Sequence, residues 1–127
     1  RLTEGRYDGL FVDETEAGTP LLLARAADGT HCPAERLSDG TRDQLYLALR
    51  LAALTGAAGG ERMPFIADDL LVNFDDRRAR AALNVLAEFA ASSQTILFTH
   101  HAHIAAMAEP EAASLHRLAA APAEAAA

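Results

Sequence analysis

The run Met63 to Ala67 (MPFIA) is short and apolar, and it ends in Asp68-Asp69. A buried strand that stops at two carboxylates delivers both to the edge of a sheet, and strand alternation sends them to opposite sides. One can hold Mg²⁺ through water, because a hard cation takes oxygen ligands and keeps several waters. The other can face an attacking water. A second apolar run, Thr95 to Thr99 (TILFT), ends in His100 and His101, with His103 just beyond. A histidine placed just past a buried strand can donate a hydrogen bond to a phosphate oxygen. Each feature alone also has a plainer explanation. Paired aspartates can be a solvated strand end. Three histidines in four positions suggest a metal cluster, but their irregular spacing does not match a zinc motif.

A third feature is Leu37-Ser38-Asp39-Gly40, set before a long helical stretch. The free N–H groups and dipole of a helix N-terminus attract anions. Gly40 allows close backbone approach to a phosphate. Ser38 can cap the helix and also offer a hydroxyl. Ordinary capping accounts for this segment equally well.

The elements that must position these groups follow from patterning. Arg6 to Glu14 and Pro20 to Ala26 are short apolar runs separated by an acidic, glycine-containing loop, which predicts two strands. Asp28-Gly29 marks a turn into an extended segment reaching Pro33. From Arg42 to Leu54 the apolar spacing predicts a helix, with Leu45, Leu49 and Ala52 on one face and Ala48 beside them, and Gly56, Gly59 and Gly60 ending it. Asp75-Asp76 precede a helix over Arg77 to Ala91, and a short helix follows the histidines to about Ala108. Ser114 to Leu118 reads as a last strand, and the Ala-rich tail 119–127 as disordered. Strands alternating with helices predict an α/β fold with a parallel sheet flanked by helices, preceded by an antiparallel β-meander. Ligands of such sheets bind beyond the carboxyl ends of the strands. Asp68-Asp69 and the histidines fall there.

Composition narrows the classes. The chain has 127 residues, half of them hydrophobic, which is enough for one packed domain spanning 1–127. A net charge of -7 argues against a broad nucleic-acid surface on this piece. No apolar run approaches the roughly 20 residues needed to span a bilayer, so no membrane association is expected. The single cysteine, Cys32, cannot form an internal disulfide, which fits a reducing, cytoplasmic setting. All eleven basic residues are Arg. The chain opens at Arg1 with no initiator Met, which fits a piece of a longer protein.

Taken together, the motifs are far more specific than their parts. LSDGTRDQLYLALRLA resembles the signature motif and helix of ABC-type ATPases, PFIADD a Walker B strand, VNFDD a D-loop, and QTILFTHH the switch-histidine strand. They occur in the family's order, from about Arg6 to His103. The pattern is most similar to the SMC/Rad50/RecF-like group, especially the bacterial YhaN-like ATPases with long coiled coils.

This resemblance implies the C-terminal half of a P-loop NTPase head. Ser38, Asp39 and Gly40 would meet the γ-phosphate of an ATP held by an opposite subunit, with Asp39 replacing the usual glycine. Asp68 would hold Mg²⁺ through water. Asp69 stands where most members carry a catalytic Glu and is one methylene shorter. Asp75 would be the D-loop acid working across the dimer interface, and His100 or His101 the switch histidine. The implied partners are ATP, the N-terminal half of the same head with its coiled coil, and a second head in an ATP sandwich. DNA would be engaged through the full assembly, in repair or chromosome maintenance. The sequence contains no GxxxxGK[ST] segment and no Lys to complete one, so the chain alone is expected not to hydrolyse ATP. Two other functions are compatible with the residues. One is a degenerate, non-catalytic ABC-type dimerisation or regulatory module, suggested by Asp39 and Asp69. The other is a metal-dependent hydrolase built on Asp68, Asp69 and the histidines.

Overall fold

A computed structural model describes residues 2–56, 63–108 and 113–118. The chain opens with an antiparallel meander of β1 (Tyr7–Glu14), β2 (Pro20–Ala26) and β3 (His31–Pro33), paired in the order β1-β2-β3. The turn between β2 and β3 is made by Asp28-Gly29. Gly29 takes a φ of 86°, and the Asp28 carboxylate accepts the Thr30 N–H at 2.9 Å. Ala24 on β2 packs with Leu37 and Leu45 in a small cluster that also takes in Tyr7, Leu10 and Cys32. This cluster fastens the meander to the first long helix.

That helix, α1, covers Asp39–Gly56. Ser38 sits at its N-cap position: its carbonyl accepts the Arg42 N–H at 2.9 Å, and its hydroxyl lies 2.9 Å from that of Thr41. The buried stripe is Gly40, Thr41, Gln44, Leu45, Leu47 and Leu51. It is rotated from the expected face, for Leu49 is 45% exposed and Ala52 is exposed. The rotation follows from polar burial. Gln44 turns inward because its side-chain amide donates to the Leu2 carbonyl, which satisfies it in the core.

The second half is strand, helix, strand, helix. β4 (Phe65–Asp68) and β5 (Thr95–Phe98) pair in parallel, with Asp68 opposite Phe98. Parallel neighbours need a long crossover, and α2 (Asp76–Ala90) provides it. Asp75 caps α2 by accepting the Arg78 N–H at 2.8 Å. The stripe Ala79, Ala82, Leu83 and Leu86 is buried at helical spacing. It packs into the main core with Leu47, Leu51, Phe65, Ala67, Leu71, Phe74 and Ile104, the last from α3 (Ala102–Ala108). Phe65 and Phe89 meet edge to face at 6.2 Å between ring centroids.

The fold is thus the expected α/β arrangement. Residues 113–118 are exposed and form no strand. Among the described residues, no strand lies beside Leu115 and Leu118 to complete a ladder. The tail 119–127 and the glycines 59 and 60 lie outside the described residues. No helix among the described residues is long and apolar enough to cross a membrane.

Leu47 is fully buried on α1, whereas Leu49 lies on the exposed side. Leu47→Ala should therefore cost about 2–5 kcal/mol, read as a lower urea midpoint. Leu49→Ala should stay within about 0.5 kcal/mol. Equal losses would contradict the observed helix face.

Candidate functional site

The parallel pair ends in the groups that could do chemistry. Asp68 is the last residue of β4 and is exposed. Asp69 leaves the strand with a φ of 44°, in the left-handed region that few non-glycine residues adopt. Its N–H still donates to the Phe98 carbonyl at 3.0 Å, so the strained residue is held by the last rung of the ladder. The two aspartates therefore do not simply alternate along one strand. The left-handed turn swings Asp69 towards β5, and its side chain is only 35% exposed.

There the His100 imidazole meets it. Nδ1–H of His100 donates to Oδ2 of Asp69 at 2.6 Å, and the His100 backbone N–H approaches Oδ1 at 3.4 Å. Partial burial pushes the Asp69 carboxyl up. The His100 ring, the His100 N–H and charge, and the Thr99 hydroxyl together outweigh it, and the carboxyl is held below its ordinary range. Asp69 is thus an ionised acceptor that fixes the His100 tautomer and aims the ring.

His101 is placed differently. Its backbone N–H donates to the Thr99 hydroxyl at 3.1 Å, and its carbonyl accepts from Ile104 and Ala105 at the start of α3. Its ring lies 4.0 Å from that of His100 and 5.5 Å from that of His103, centroid to centroid. Its Nε2 is buried without a hydrogen-bond partner among the described residues. One ligand atom from each of Asp69, His100 and His101 lies within 4.8 Å of the others. Residue types and order suggested these histidines; the separate environments of His100 and His101 depend on the turn at Asp69, which no residue pattern announces.

A second group of contacts surrounds the N-terminus of α1. Gly40 is buried, and a Cβ there would stand 2.6 Å from Nη1 of Arg78 and 2.8 Å from the Asn73 carbonyl. Glycine is required at this close approach. Asn73 donates to Asp43 at 2.9 Å, which ties the loop after β4 to the same helix. Asp39 is exposed and paired with Arg42 at 2.7 Å, so its charge at the helix end has a local counterion. Asp75 is occupied as the α2 cap and lies 3.5 Å from Nε of Arg78. Beside these residues an open cleft of about 370 Å³ is lined by Arg6, Arg77, Arg78, Thr41 and Gln44. Arg77 and Arg78 already face Glu4 and Asp75, which leaves the cleft close to charge-balanced.

Known proteins share the sequence and fold of this chain as follows. No family model matches the chain. In sequence it is 38% identical over 104 residues to the uncharacterized protein YhaN of Bacillus subtilis, a match that takes in 81% of this chain but only 10% of YhaN. The chain therefore spans about a tenth of that relative's length. In structure it resembles an SMC ATPase solved in work on ATP-driven dimerization and DNA-stimulated activation (TM-score 0.62, 18% identity, 85% of this chain and 68% of that one). It also resembles the SMC head domain of Thermotoga maritima (TM-score 0.59, 20% identity, 86% and 38%). A third likeness is to the Smc head of Pyrococcus furiosus bound to the C-terminal domain of ScpA (TM-score 0.58, 20% identity, 77% and 25%).

The carboxyl of Asp69 protonates at a lower pH in the folded chain than in the unfolded one. Its contribution to stability is present above the ordinary carboxylate range and is lost as pH falls through the lowered value. A ¹³C-detected NMR titration should find Asp69 protonating below an ordinary aspartate. His100→Ala should move that midpoint up, because burial then faces fewer opposing partners. A midpoint that His100→Ala leaves in place would show that the imidazole does not hold the charge.

Proposed function

We propose that this chain, the C-terminal portion of an SMC-like ATPase head by its fold and its likeness to YhaN, supplies the water-activating and signature halves of a composite ATP site. The carrying observation is the 2.6 Å contact between Asp69 and His100 at the carboxyl ends of adjacent parallel strands. In the proposed site Asp69 takes the proton from the attacking water. His100, aimed by that carboxylate, contacts the γ-phosphate through Nε2, which donates when the ring carries a proton on both nitrogens. His101, with its Nε2 buried, is the weaker choice for that role. Asp69 is ionised, as a base must be.

The exposed carboxylate of Asp68 fits a Mg²⁺ held through water. When bound, that ion would neutralise charge on the phosphates. Ser38 and the N–H groups at the start of α1 would receive the γ-phosphate of ATP held by a second head. Arg42 would temper the repulsion of Asp39. Asp75 would work across the same interface. ATP would thus join two heads into a homodimer, and hydrolysis would release them.

The same reading names a missing partner. Ile66 is 61% exposed and Phe98 44% exposed, and both lie on the parallel pair. Apolar residues on a central parallel sheet are normally covered on both faces. The N-terminal half of the head, with its phosphate-binding loop and coiled coil, is the proposed cover. The parent would be a cytoplasmic DNA-repair or chromosome-maintenance ATPase that touches DNA as a complete assembly. A second reading, a degenerate dimerisation module, draws support from Asp39 and from the use of Asp75 as a helix cap.

In the full-length parent, Asp69→Asn should lower kcat by about 100-fold or more while ATP binding persists. Asp69→Glu should retain turnover. The 127-residue chain by itself should show none. Parent activity indifferent to Asp69→Asn would favour the degenerate module.

A further inference from the structure

We infer that Asp69, His100 and His101 form a binding site for a borderline divalent cation of the zinc class. The three residues offer ligand atoms within 4.8 Å of one another, from two adjacent strand ends. Zinc takes imidazole nitrogen and carboxylate oxygen at about 2.0–2.2 Å, so tetrahedral ligand atoms stand roughly 3.3 Å apart. Asp69 and His100 are already closer than that, at 2.6 Å. The separations to His101 are at most 4.8 Å and have to shorten for tetrahedral binding.

The donor set selects the ion. Two imidazoles and one carboxylate suit zinc, cobalt, nickel or copper, whereas magnesium and calcium prefer oxygen throughout. The cluster is therefore chemically distinct from the Mg²⁺ site proposed at the adjacent Asp68. Its irregular histidine spacing gave no zinc motif, because one ligand comes from the other strand. The buried Nε2 of His101 adds an independent indication. A buried ring nitrogen normally has a partner, and a cation between the three residues provides one.

The frame is built to hold such a site. Asp69 is pinned by its N–H on the Phe98 carbonyl, and the His101 backbone by the Thr99 hydroxyl. Ligands fixed on strand ends need little reordering to bind. The His100 side chain is 72% exposed, which leaves the solvent side of the ion open for a fourth, water ligand. Where the ion takes the His100 nitrogen that faces Asp69, the shared proton leaves to solvent. The ion would draw on Asp69 and His100, which the proposed ATP site also uses, so it belongs to the nucleotide-free chain, and metal binding without nucleotide is read separately from ATP turnover.

The test is a Co²⁺ titration of the whole chain, followed by its visible d–d absorption. The expected result is about one equivalent bound, displaced by Zn²⁺ and unaffected by excess Mg²⁺. His100→Ala, at an exposed position that the core does not use, and Asp69→Asn should each weaken binding by about 10-fold or more. His31→Ala, on the meander, should leave it unchanged. Absence of a stoichiometric spectrum, indifference to both substitutions, or displacement by Mg²⁺ would overturn the assignment.

Discussion

The parallel pairing of β4 with β5 is the constraint on which the rest depends. Two strands running in the same direction cannot be joined by a tight turn, so the chain must cross over, and α2 is the crossing. The crossing buries Ala79, Ala82, Leu83 and Leu86 against the pair, and that burial builds the main core. The same parallel direction brings both strands to a common end. Asp68 and Asp69 arrive there from one strand, His100 and His101 from the other. Residues about thirty apart in sequence become neighbours through backbone pairing alone.

Local chemistry then sharpens that coincidence. The left-handed backbone at Asp69 is unfavourable for a residue with a side chain, and it persists because a ladder hydrogen bond and the His100 contact hold it. The result is a carboxylate and an imidazole oriented towards each other before any ligand arrives. His101, one residue further on, serves instead to start α3 and turns its ring inward. Adjacent residues of identical type therefore occupy unlike environments.

Much of this was legible in the residues. The apolar runs ending in Asp68-Asp69 and His100-His101 located both strands to within a residue or two, because short buried strands bounded by polar groups are distinctive. Asp28-Gly29 located a turn, and Asp75 a helix start. Periodicity placed α1 and the buried Leu45 but misjudged the rest of its inner face. It ranked leucines above glutamine, whereas Gln44 is inside and Leu49 outside. A polar side chain that finds a backbone partner in the core cannot be recognised by hydropathy. The expected strand at Ser114–Leu118 failed for a related reason: an apolar pattern needs a neighbouring strand to pair with, and sequence does not say whether one is there. The Asp69–His100 contact was invisible too, since alternation along an ideal strand gives no hint of a backbone reversal at its end.

The seam at Gly40 has a mechanical consequence. Two structural pieces meet there, the leading turn of α1 and the loop that carries Asn73 towards Asp75, with no room for even a methyl group between them. Asn73 and Asp43 clasp the same seam from the outside. A side chain larger than glycine's at position 40 would push these two pieces apart. The spacing between Ser38 at the head of α1 and Asp75 at the head of α2 is thus set by the one residue type that fits between their segments.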